Sequence, residues 1–372
     1  MKILLVAGAR PNFVKVAPLL WNLKQRPQMD YFLVHTGQHY DYQMSTSFFE
    51  ELEIPAPDAY LDVGSGSHAV QTAEVMKRFE PIVAEECPDV VVVVGDVNST
   101  LACALTAVKM HVPVAHVEAG LRSFDRSMPE EINRLVTDSI SQWLFVSEPS
   151  GMRNLRAEGA ASERVFHVGN VMIDTLYACR EKIDRQDVHQ RLGLRGQPYG
   201  VLTLHRPANV DDPEHFEVLA ELLEQMQREL PLVFPVHPRT RKMLAALPEQ
   251  SLSHVIQTEP MGYLSFLKLV SGARVVVTDS GGLQEETTAL GVPCLTLRDN
   301  TERPITIEQG TNTLVGTDPE VVLHHFRRVL RGDVRPYRVP DLWDGHAAER
   351  VLDVLAAWRA GGVSSPVMAC SS

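Results

Sequence analysis

The chain has 372 residues, which is longer than one average domain and favours two domains, although one large α/β domain is also possible. It carries 35 Lys and Arg against 47 Asp and Glu, a formal net charge of −12. Nucleic acids and anionic membranes select clustered positive charge, so this balance excludes them as bulk partners. A small anionic ligand needs only a few local arginines and backbone amides and stays possible.

Apolar runs without polar alternation recur along the chain, and each predicts a strand that is buried on both faces. They are KILLVAGAR, DYFLVHTG, PDVVVVVGD, VPVAHVEAG, WLFVSEP and RVFHVGN, then GVLTLHR, PLVFPVHP, SHVIQTEP, ARVVVTDSGG and VPCLTLRDN. Amphipathic segments of helical length, such as PNFVKVAPLLWNLKQ and PEHFEVLAELLEQMQREL, lie between them. This alternation predicts βαβ units with parallel sheets, so the fold class is α/β.

The series of βα units is interrupted once, by the polar stretch ACREKIDRQDVHQRLGLRGQPYG. Its high charge and few large apolar residues are typical of a domain junction. We therefore predict two doubly wound, Rossmann-like domains, residues 1–169 and 170–345. The last apolar helix, about 346–360, can pack on either domain, including back on the first. The small, polar tail 361–372 is predicted to be disordered.

The N-terminal apolar run passes at once into Arg10 and Pro11, which is typical of a first strand and not of a signal peptide. No apolar run approaches the roughly 20 residues that cross a bilayer. The five cysteines include no CxxC pair, and no His and Cys spacing suits a metal. We expect a soluble cytoplasmic protein without a disulfide framework or a metal.

Ligands of open parallel sheets lie beyond the carboxyl ends of the strands, so chemistry is expected there. The polar residues at those positions are Arg10, His35, Gln38, Asp96, Glu118, His205, Arg206, His237, Asp279, Ser280, Arg298 and Asp299. A single polar residue at a strand end is often only solvated. Asp96 and Glu118 close consecutive strands, however, and two neighbouring carboxylates push at least one pKa upward. Such a pair suits general acid and base catalysis.

Glu130 and Glu131 stand at the predicted start of a helix. Pro129 suits the first helical position, and acids in the first turn complement the helix dipole. The local signals therefore favour capping for both acids. Glu131 receives no further role from the sequence.

In VVVTDSGGLQEE, a strand runs into Ser280, Gly281 and Gly282, and a helix follows. Paired glycines allow a ligand to approach the backbone closely, and free amides at a helix N-terminus bind phosphate without net positive charge. A tight turn alone is the simpler alternative. Glu286, one turn into the helix, is placed to accept a hydrogen bond from a ribose hydroxyl.

Several long motifs resemble, in order and along nearly the whole chain, the non-hydrolysing UDP-N-acetylglucosamine 2-epimerases. They are GARPNFVKVAPL, VGDVNSTLA, HVEAGLRSFDRSMPEEINR, LHRPANV, DSGGLQEETTALGVPCLTLRDNTERP and GTNTLVGTD. The resemblance implies the GT-B fold, with two Rossmann-like domains whose parallel sheets face each other across a cleft. It also implies a homodimer in polysaccharide biosynthesis, with neither metal nor nicotinamide cofactor.

The resemblance further implies interconversion of UDP-GlcNAc and UDP-ManNAc by anti elimination of UDP and syn re-addition through 2-acetamidoglucal. The residues that match the family's catalytic groups are Asp96, Glu118, Glu130 and His205. The residues that match its UDP-binding positions are Arg10, Lys15, Ser280, Gly281, Gly282, Glu286 and Arg303.

Some features depart from the common bacterial pattern. FDRSMPEEINR lacks a longer insert before Pro-Glu-Glu, and HTGQHYDYQM differs from the segment that helps bind a second, activating UDP-GlcNAc in bacterial members. The compact pattern resembles archaeal-type members and the branch that acts on UDP-2,3-diacetamido-2,3-dideoxy-glucuronic acid. Alternatives are therefore that uronate as substrate, a hydrolysing 2-epimerase, a GT-B glycosyltransferase and a non-catalytic UDP-sugar sensor.

Overall fold

The computed structural model describes residues 1–37, 48–248 and 251–361, and of Arg10 it describes the backbone alone. The predicted tail from residue 362 onward and the candidate Gln38 lie outside the described residues. The chain divides into two compact units. The first contains Met1–Ala178 and the stretch that begins at Asp341, and the second is Cys179–Pro340.

The first unit contains one parallel sheet of seven strands in the order β3-β2-β1-β4-β5-β6-β7. The strands are β1 Lys2–Ala7, β2 Asp30–His35, β3 Ala59–Tyr60, β4 Val90–Val94, β5 Val114–Val117, β6 Trp143–Val146 and β7 Val165–His167. Its helices are α1 Arg10–Leu23, α2 His68–Glu86, α3 Asn98–Lys109, α4 Pro129–Ile140, α5 Pro149–Ala157 and α6 Val171–Ala178. Residues 48–52 are also helical. All five valines of β4 are buried, as a strand covered on both faces requires.

The second unit contains a parallel sheet of six strands in the order β10-β9-β8-β11-β12-β13. The strands are β8 Gly200–Thr203, β9 Leu232–Pro235, β10 Val255–Thr258, β11 Val275–Thr278, β12 Cys294–Thr296 and β13 Asn312–Leu314. Short helices α7 Arg180–Asp184, α8 Val188–Arg191, α9 Pro207–Val210, α11 Pro238–Leu244 and α14 Pro304–Glu308 accompany the longer α10 Pro213–Glu229, α12 Tyr263–Ser271, α13 Gly281–Leu290 and α15 Pro319–Leu330.

These sheets confirm the predicted α/β class with parallel strands. Each of the eleven apolar runs contains a strand, and β3 and β13 are additional. β3 has only two residues, and β13 begins with the polar Asn312 and Thr313, so neither leaves an apolar run in the sequence. None of the helices in the described ranges is long and apolar enough to cross a membrane.

The C-terminal helix, α16 Ala347–Ala360, packs within the first unit. Asp174 accepts hydrogen bonds from the amides of Ala347 and Ala348, at 3.1 and 2.7 Å, and so caps the start of α16. The rings of Trp143 and Trp358 meet edge to face at 4.9 Å. The chain leaves the first unit after Ala178, beyond the predicted boundary at residue 169, and returns at Asp341, before the predicted boundary at residue 345.

Candidate active site

Both sheets reverse their strand order at one point, between β1 and β4 in the first unit and between β8 and β11 in the second. Ligands of doubly wound sheets bind at such switch points, outside the carboxyl ends of the strands. Most of the candidate residues lie at these two positions or on the strand next to them. The two units are described separately below.

At the switch point of the first unit, Asp96 follows β4 and Glu118 follows β5. The two strands are paired in parallel, with Val94 opposite Val117, so the two acids end adjacent strands as the sequence predicts. Glu118 is 3% exposed and has a left-handed backbone with φ of 71°. A non-glycine residue in that region stores strain, which is a feature that clusters at functional sites.

The buried ammonium of Lys15, on α1, donates to Oε2 of Glu118. Gly95, with φ of +69°, leaves the space for this pair, because a Cβ there would lie 3.2 Å from Lys15 Nζ and 3.5 Å from Glu118 Oε2. Oε1 of Glu118 is buried and has no hydrogen-bond partner among the described residues. A buried acceptor without a partner is costly, so this oxygen is a position for a donor from a ligand.

Asp96 is paired with a different cation. Its Oδ2 accepts from Nη1 of Arg134, a buried guanidinium on α4, and the amide of Asn133 donates to the Asp96 carbonyl at 2.9 Å. The sequence predicts Asp96 and Glu118 as a pair of neighbouring acids, and in the structure each acid also has its own buried cation. Arg134 had been missed. Its position one helical turn after Glu130 and Glu131 is a signal that could have pointed to it.

Glu131 has a structural role that the sequence left open. Its carboxylate accepts from the amides of Ser123 and Phe124 at 2.9 and 3.1 Å, and from Arg134 Nη2 at 2.6 Å. Burial raises the pKa of Glu131, but the hydrogen bonds from Ser123 and Arg134 outweigh it and leave the pKa below its ordinary value. Glu131 therefore anchors the loop that precedes α4 and positions the arginine that holds Asp96.

Glu130, by contrast, is partly exposed in the first turn of α4. Within the described part of the chain, its side chain forms no hydrogen bond or ion pair. Glu131, and not Glu130, therefore holds the preceding loop, and the catalytic role of Glu130 stays a prediction. Arg10 begins α1 beside this rim, and only its backbone is described.

In the second unit, Asp279 follows β11 and is fully buried. It accepts from the backbone amides of His205 and Arg206 at 3.0 and 2.9 Å, and its Oδ1 lies 2.8 Å from His205 Nδ1. The His205 side chain is 40% exposed. Asp279 thus fixes the ring with Nδ1 toward the carboxylate and leaves Nε2 available to a ligand.

The pKa of Asp279 is set by opposing effects. Burial raises the pKa. The hydrogen bond and charge of His205 and the amides of His205 and Arg206 lower it by more, so the pKa of Asp279 lies below its ordinary value. The carboxylate form is therefore maintained beneath His205. The sequence marked Asp279 as a strand end but gave it no role.

Ser280, Gly281 and Gly282 form the turn into α13, as predicted. The Ser280 side chain makes no capping hydrogen bond, so the first amides of α13 keep their unpaired donors. A Cβ on Gly281 would lie 2.5 Å from Glu302 Oε1 and 2.8 Å from Arg303 Nη1. The Glu302 and Arg303 side chains therefore pack closely on Gly281, and the predicted approach of a ligand to this turn stays a prediction.

Three arginines surround Glu302, which is 3% exposed. Arg298 Nη2 lies 2.9 Å from Glu302 Oε2, Arg206 Nη2 lies 3.8 Å from Oε1, and Arg303 also donates to Oε1. Burial raises the pKa of Glu302, but these guanidiniums hold it far below the ordinary value. Local positive charge therefore accompanies the helix start, despite the acidic composition of the chain.

Glu286 lies one turn into α13 and is 7% exposed, facing Tyr263. Burial raises the pKa of Glu286, and the hydrogen bond with Tyr263 lowers it. Burial dominates, and the pKa is about 8. The sequence predicts that Glu286 accepts a hydrogen bond from a ribose hydroxyl, and the structure adds that this acid is nearly enclosed.

Stability should depend on pH through Glu286. Below pH 4.5 the carboxyl group of Glu286 is neutral in both the folded and the unfolded protein. Between pH 4.5 and about 8 it loses its proton only in the unfolded chain. The free energy of unfolding therefore falls as the pH rises through this range. Glu286→Gln removes this penalty and is expected to stabilise the protein at pH 8.5 by up to about 4 kcal/mol relative to pH 5. Urea denaturation at both pH values measures it. Glu221→Gln, on an exposed face of α10, is the control; parallel pH dependences of wild type and Glu286→Gln would contradict the expectation.

No cluster of three or more His, Cys, Asp or Glu in the described ranges could hold a metal ion. Of the described cysteines, Cys103, Cys179 and Cys294 are buried thiols. The described candidate residues offer acid–base and ionic groups: two strand-end acids in the first unit, and one histidine and a helix start in the second.

The family model of UDP-N-acetylglucosamine 2-epimerases matches residues 21–356. The chain belongs to the UDP-N-acetylglucosamine 2-epimerase family. It is 41% identical over 366 residues to the UDP-N-acetylglucosamine 2-epimerase of Methanocaldococcus jannaschii, covering 95% of this chain and 99% of that protein. It is 39% identical over 364 residues to the UDP-2,3-diacetamido-2,3-dideoxy-D-glucuronate 2-epimerase of Pseudomonas aeruginosa, covering 96% and 99%.

Among solved structures, the crystal structure of Methanocaldococcus jannaschii UDP-GlcNAc 2-epimerase in complex with UDP-GlcNAc and UDP matches this family member with a TM-score of 0.89. The match has 39% identity and covers 96% of this chain and 100% of that one. The predicted GT-B fold is confirmed by this likeness together with the two parallel sheets. As an epimerase, the protein is an isomerase that acts in nucleotide-sugar chemistry.

Proposed function

We propose that the protein is a non-hydrolysing UDP-N-acetylglucosamine 2-epimerase that interconverts UDP-GlcNAc and UDP-ManNAc. The observation that supports this most strongly is the arrangement of Asp96 and Glu118 on adjacent strand ends, each bound to a separate buried cation. A UDP-sugar sensor would not need such a set. Two acids at one rim of a sheet are what proton removal and proton return at a single carbon require.

In the proposed reaction, a carboxylate of the set Asp96, Glu118 and Glu130 takes the proton from C2 of the sugar. The C1–O bond breaks anti to it, its electron pair leaves with UDP, and a C1=C2 double bond forms in 2-acetamidoglucal. A carboxylic acid then returns a proton to the opposite face of C2, and a UDP oxygen adds to C1 on the syn side. No redox partner is needed, because every electron pair stays within substrate and UDP.

We assign UDP binding to the second unit. The Ser280 hydroxyl, the amides of Gly281 and Gly282 at the start of α13 and the charge of Arg303 suit a diphosphate, and Glu286 suits the ribose. His205, with Nε2 available, is assigned to the reacting end of the diphosphate. The family resemblance also assigns Arg10 and Lys15 to UDP binding, and Lys15 pairs with Glu118 within the first unit.

The same chemistry on UDP-2,3-diacetamido-2,3-dideoxy-glucuronic acid is the second candidate. It is supported by the 39% identity to the Pseudomonas aeruginosa enzyme of that name, close to the 41% for the Methanocaldococcus jannaschii enzyme. The elimination does not involve the carboxylate or the second acetamido group of the uronate, so both substrates fit the same catalytic residues.

NMR of reactions in D2O tests these proposals. UDP-GlcNAc is expected to give UDP-ManNAc with deuterium at C2. Epimerisation of the uronate alone would support the second candidate. Free ManNAc with UDP would indicate a hydrolysing enzyme, and dependence on an acceptor without exchange at C2 would indicate a glycosyltransferase. An absence of any C2 exchange with both sugars would refute the epimerase proposal.

Gly281→Ala is expected to weaken UDP binding about tenfold or more. The new Cβ would press on Glu302 and Arg303, which buried ion pairs hold in place, and overpacking of this kind costs about 1–3 kcal/mol. Isothermal titration with UDP measures the loss. Gly66→Ala is the control, because its Cβ would find an ordinary contact 3.6 Å from Val70. Equal UDP affinity in Gly281→Ala and wild type would remove this helix start from the UDP site.

We further propose a cytoplasmic homodimer that serves polysaccharide biosynthesis, on the strength of the family resemblance. Size-exclusion chromatography with light scattering tests the dimer. A monomer at micromolar concentration would contradict it.

A further inference from the structure

His116 lies in the middle of β5, two residues before Glu118, and is fully buried. Its ring has an acceptor on each side. Nδ1 lies 2.6 Å from Asp138 Oδ1, and Nε2 lies 2.8 Å from the carbonyl oxygen of Gly95. A neutral imidazole carries one N–H and one lone pair, so it can satisfy only one of these acceptors as a donor.

The surroundings decide which protons are present. The Gly95 carbonyl can only accept, so Nε2 carries a hydrogen. The other oxygen of Asp138, Oδ2, accepts from the Gly120 amide at 3.0 Å and lies 2.7 Å from Arg122 Nη2. Burial raises the pKa of Asp138, but His116 and Arg122 outweigh it and hold the pKa below its ordinary value. Asp138 is therefore a carboxylate, and Nδ1 also carries a hydrogen.

The partners of this ion pair flank the two catalytic carboxylates along the chain. Gly95 directly precedes Asp96, and Gly120 follows Glu118 by two residues. Gly95, Glu118 and Gly120 all have left-handed backbones, with φ of 69°, 71° and 80°. Glycine adopts this region freely, whereas a glutamate there persists only where its surroundings hold it. The ring holds one turn through the Gly95 carbonyl, and Asp138 holds the other through the Gly120 amide.

We propose that His116 is a positioning residue whose ring donates from both nitrogens, and that it acts with Asp138 to hold the strand ends of Asp96 and Glu118 in register for the reaction. The inference rests on the proposed function. The ring does not touch substrate; it is enclosed between β4, β5 and α4. The charged groups around it balance, since Asp138 faces both His116 and Arg122, and Arg122 also pairs with Glu158 at 2.6 Å.

The first test does not depend on activity. In the wild-type protein with 15N-labelled histidine, both ring nitrogens of His116 are expected to show a bonded proton, identified by the resonance lost in His116→Gln. Asp138→Asn is expected to leave the ring with one bonded proton. A wild-type ring with one bare nitrogen would overturn the protonated state, whether or not the protein epimerises UDP-GlcNAc.

The second test measures turnover and UDP affinity of His116→Gln and Asp138→Asn. Groups that orient catalytic residues from behind typically matter about 10- to 100-fold, so kcat is expected to fall by about that factor with the UDP affinity within about twofold of wild type. Asp174→Asn is the matched control, because Asp174 is another buried carboxylate of the same unit that accepts from two backbone amides, at the start of α16. It is expected to lower Tm without lowering kcat.

The possible results separate the proposals. Wild-type kcat in folded His116→Gln would overturn the positioning role, as would a loss in Asp174→Asn equal to that in Asp138→Asn. Failure of wild type to exchange C2 would sink the proposed function and leave the NMR result on His116 standing. If His116→Gln does not fold, the wild-type spectrum still tests the protonated state of the His116 ring. The kcat of Asp138→Asn then tests the positioning role.

Discussion

Glu118→Gln is expected to lower turnover by about 10²- to 10⁴-fold while UDP still binds. Glutamine matches glutamate in shape but cannot take or return a proton. Its Oε1 or Nε2 would occupy the position where Glu118 Oε1 has no partner among the described residues. NMR of epimerisation measures turnover, and isothermal titration with UDP measures binding.

Stability must be followed in the same variant. Glu118→Gln removes the charge that pairs with buried Lys15, and loss of one partner of a buried ion pair costs about 3–5 kcal/mol. The matched control is Glu86→Gln, which breaks the more exposed Lys2–Glu86 pair of the same unit and is expected to keep full turnover. A turnover of Glu118→Gln near that of wild type would remove Glu118 from the catalytic set.

Asp279→Asn is expected to lower kcat by about 10²- to 10⁴-fold. With aspartate, Nδ1–H of His205 donates to the carboxylate and Nε2 keeps its lone pair. With asparagine, the side-chain oxygen is taken by the amides of His205 and Arg206, and its NH2 group then faces Nδ1. This selects the opposite tautomer, with the proton on Nε2. The variant keeps the His205 ring, but its Nε2 carries a hydrogen and has no lone pair with which to accept a proton from a ligand.

The pH profile and a control identify the cause. Asp318→Asn changes a carboxylate of the same unit that likewise accepts from two backbone amides, those of Glu320 and Val321, and should leave kcat unchanged. Asp279→Asn should keep its secondary structure by circular dichroism. If its kcat stays within about twofold of wild type, His205 does not work through Nε2.

Much of the framework could be predicted from the sequence, because it depends on periodicity and chain order. The continuous valines of β4 predict a strand buried on both faces, and a polar residue directly after such a strand marks its carboxyl end. Asp96, Glu118, His205 and Asp279 were found in this way, and the strand order at the two switch points places them on the rims. The turn at Gly281 was found from residue type, since only glycine allows the close approach.

The pairings at these rims could not be predicted, because they depend on side-chain positions between elements far apart in the sequence. Arg134 reaches Asp96 across 38 positions, and Lys15 reaches Glu118 across 103. Glu130 and Glu131 look alike in the sequence, and only the backbone of the preceding loop makes Glu131 the anchor. The enclosure of Glu286 depends on Tyr263, from a neighbouring helix of the second unit.

The return of the chain to the first unit determines the order in which the units can be completed on the ribosome. The second unit, Cys179–Pro340, is one unbroken stretch, and it emerges before α16, which Asp174 and Trp143 hold in the first unit. Domains fold as units during synthesis, usually beginning with the N-terminal one. Here the unit that carries the carboxylates begins first but acquires its last helix only after the second unit has been translated. A nascent chain stalled near residue 340 would have the whole second unit and an unfinished first one.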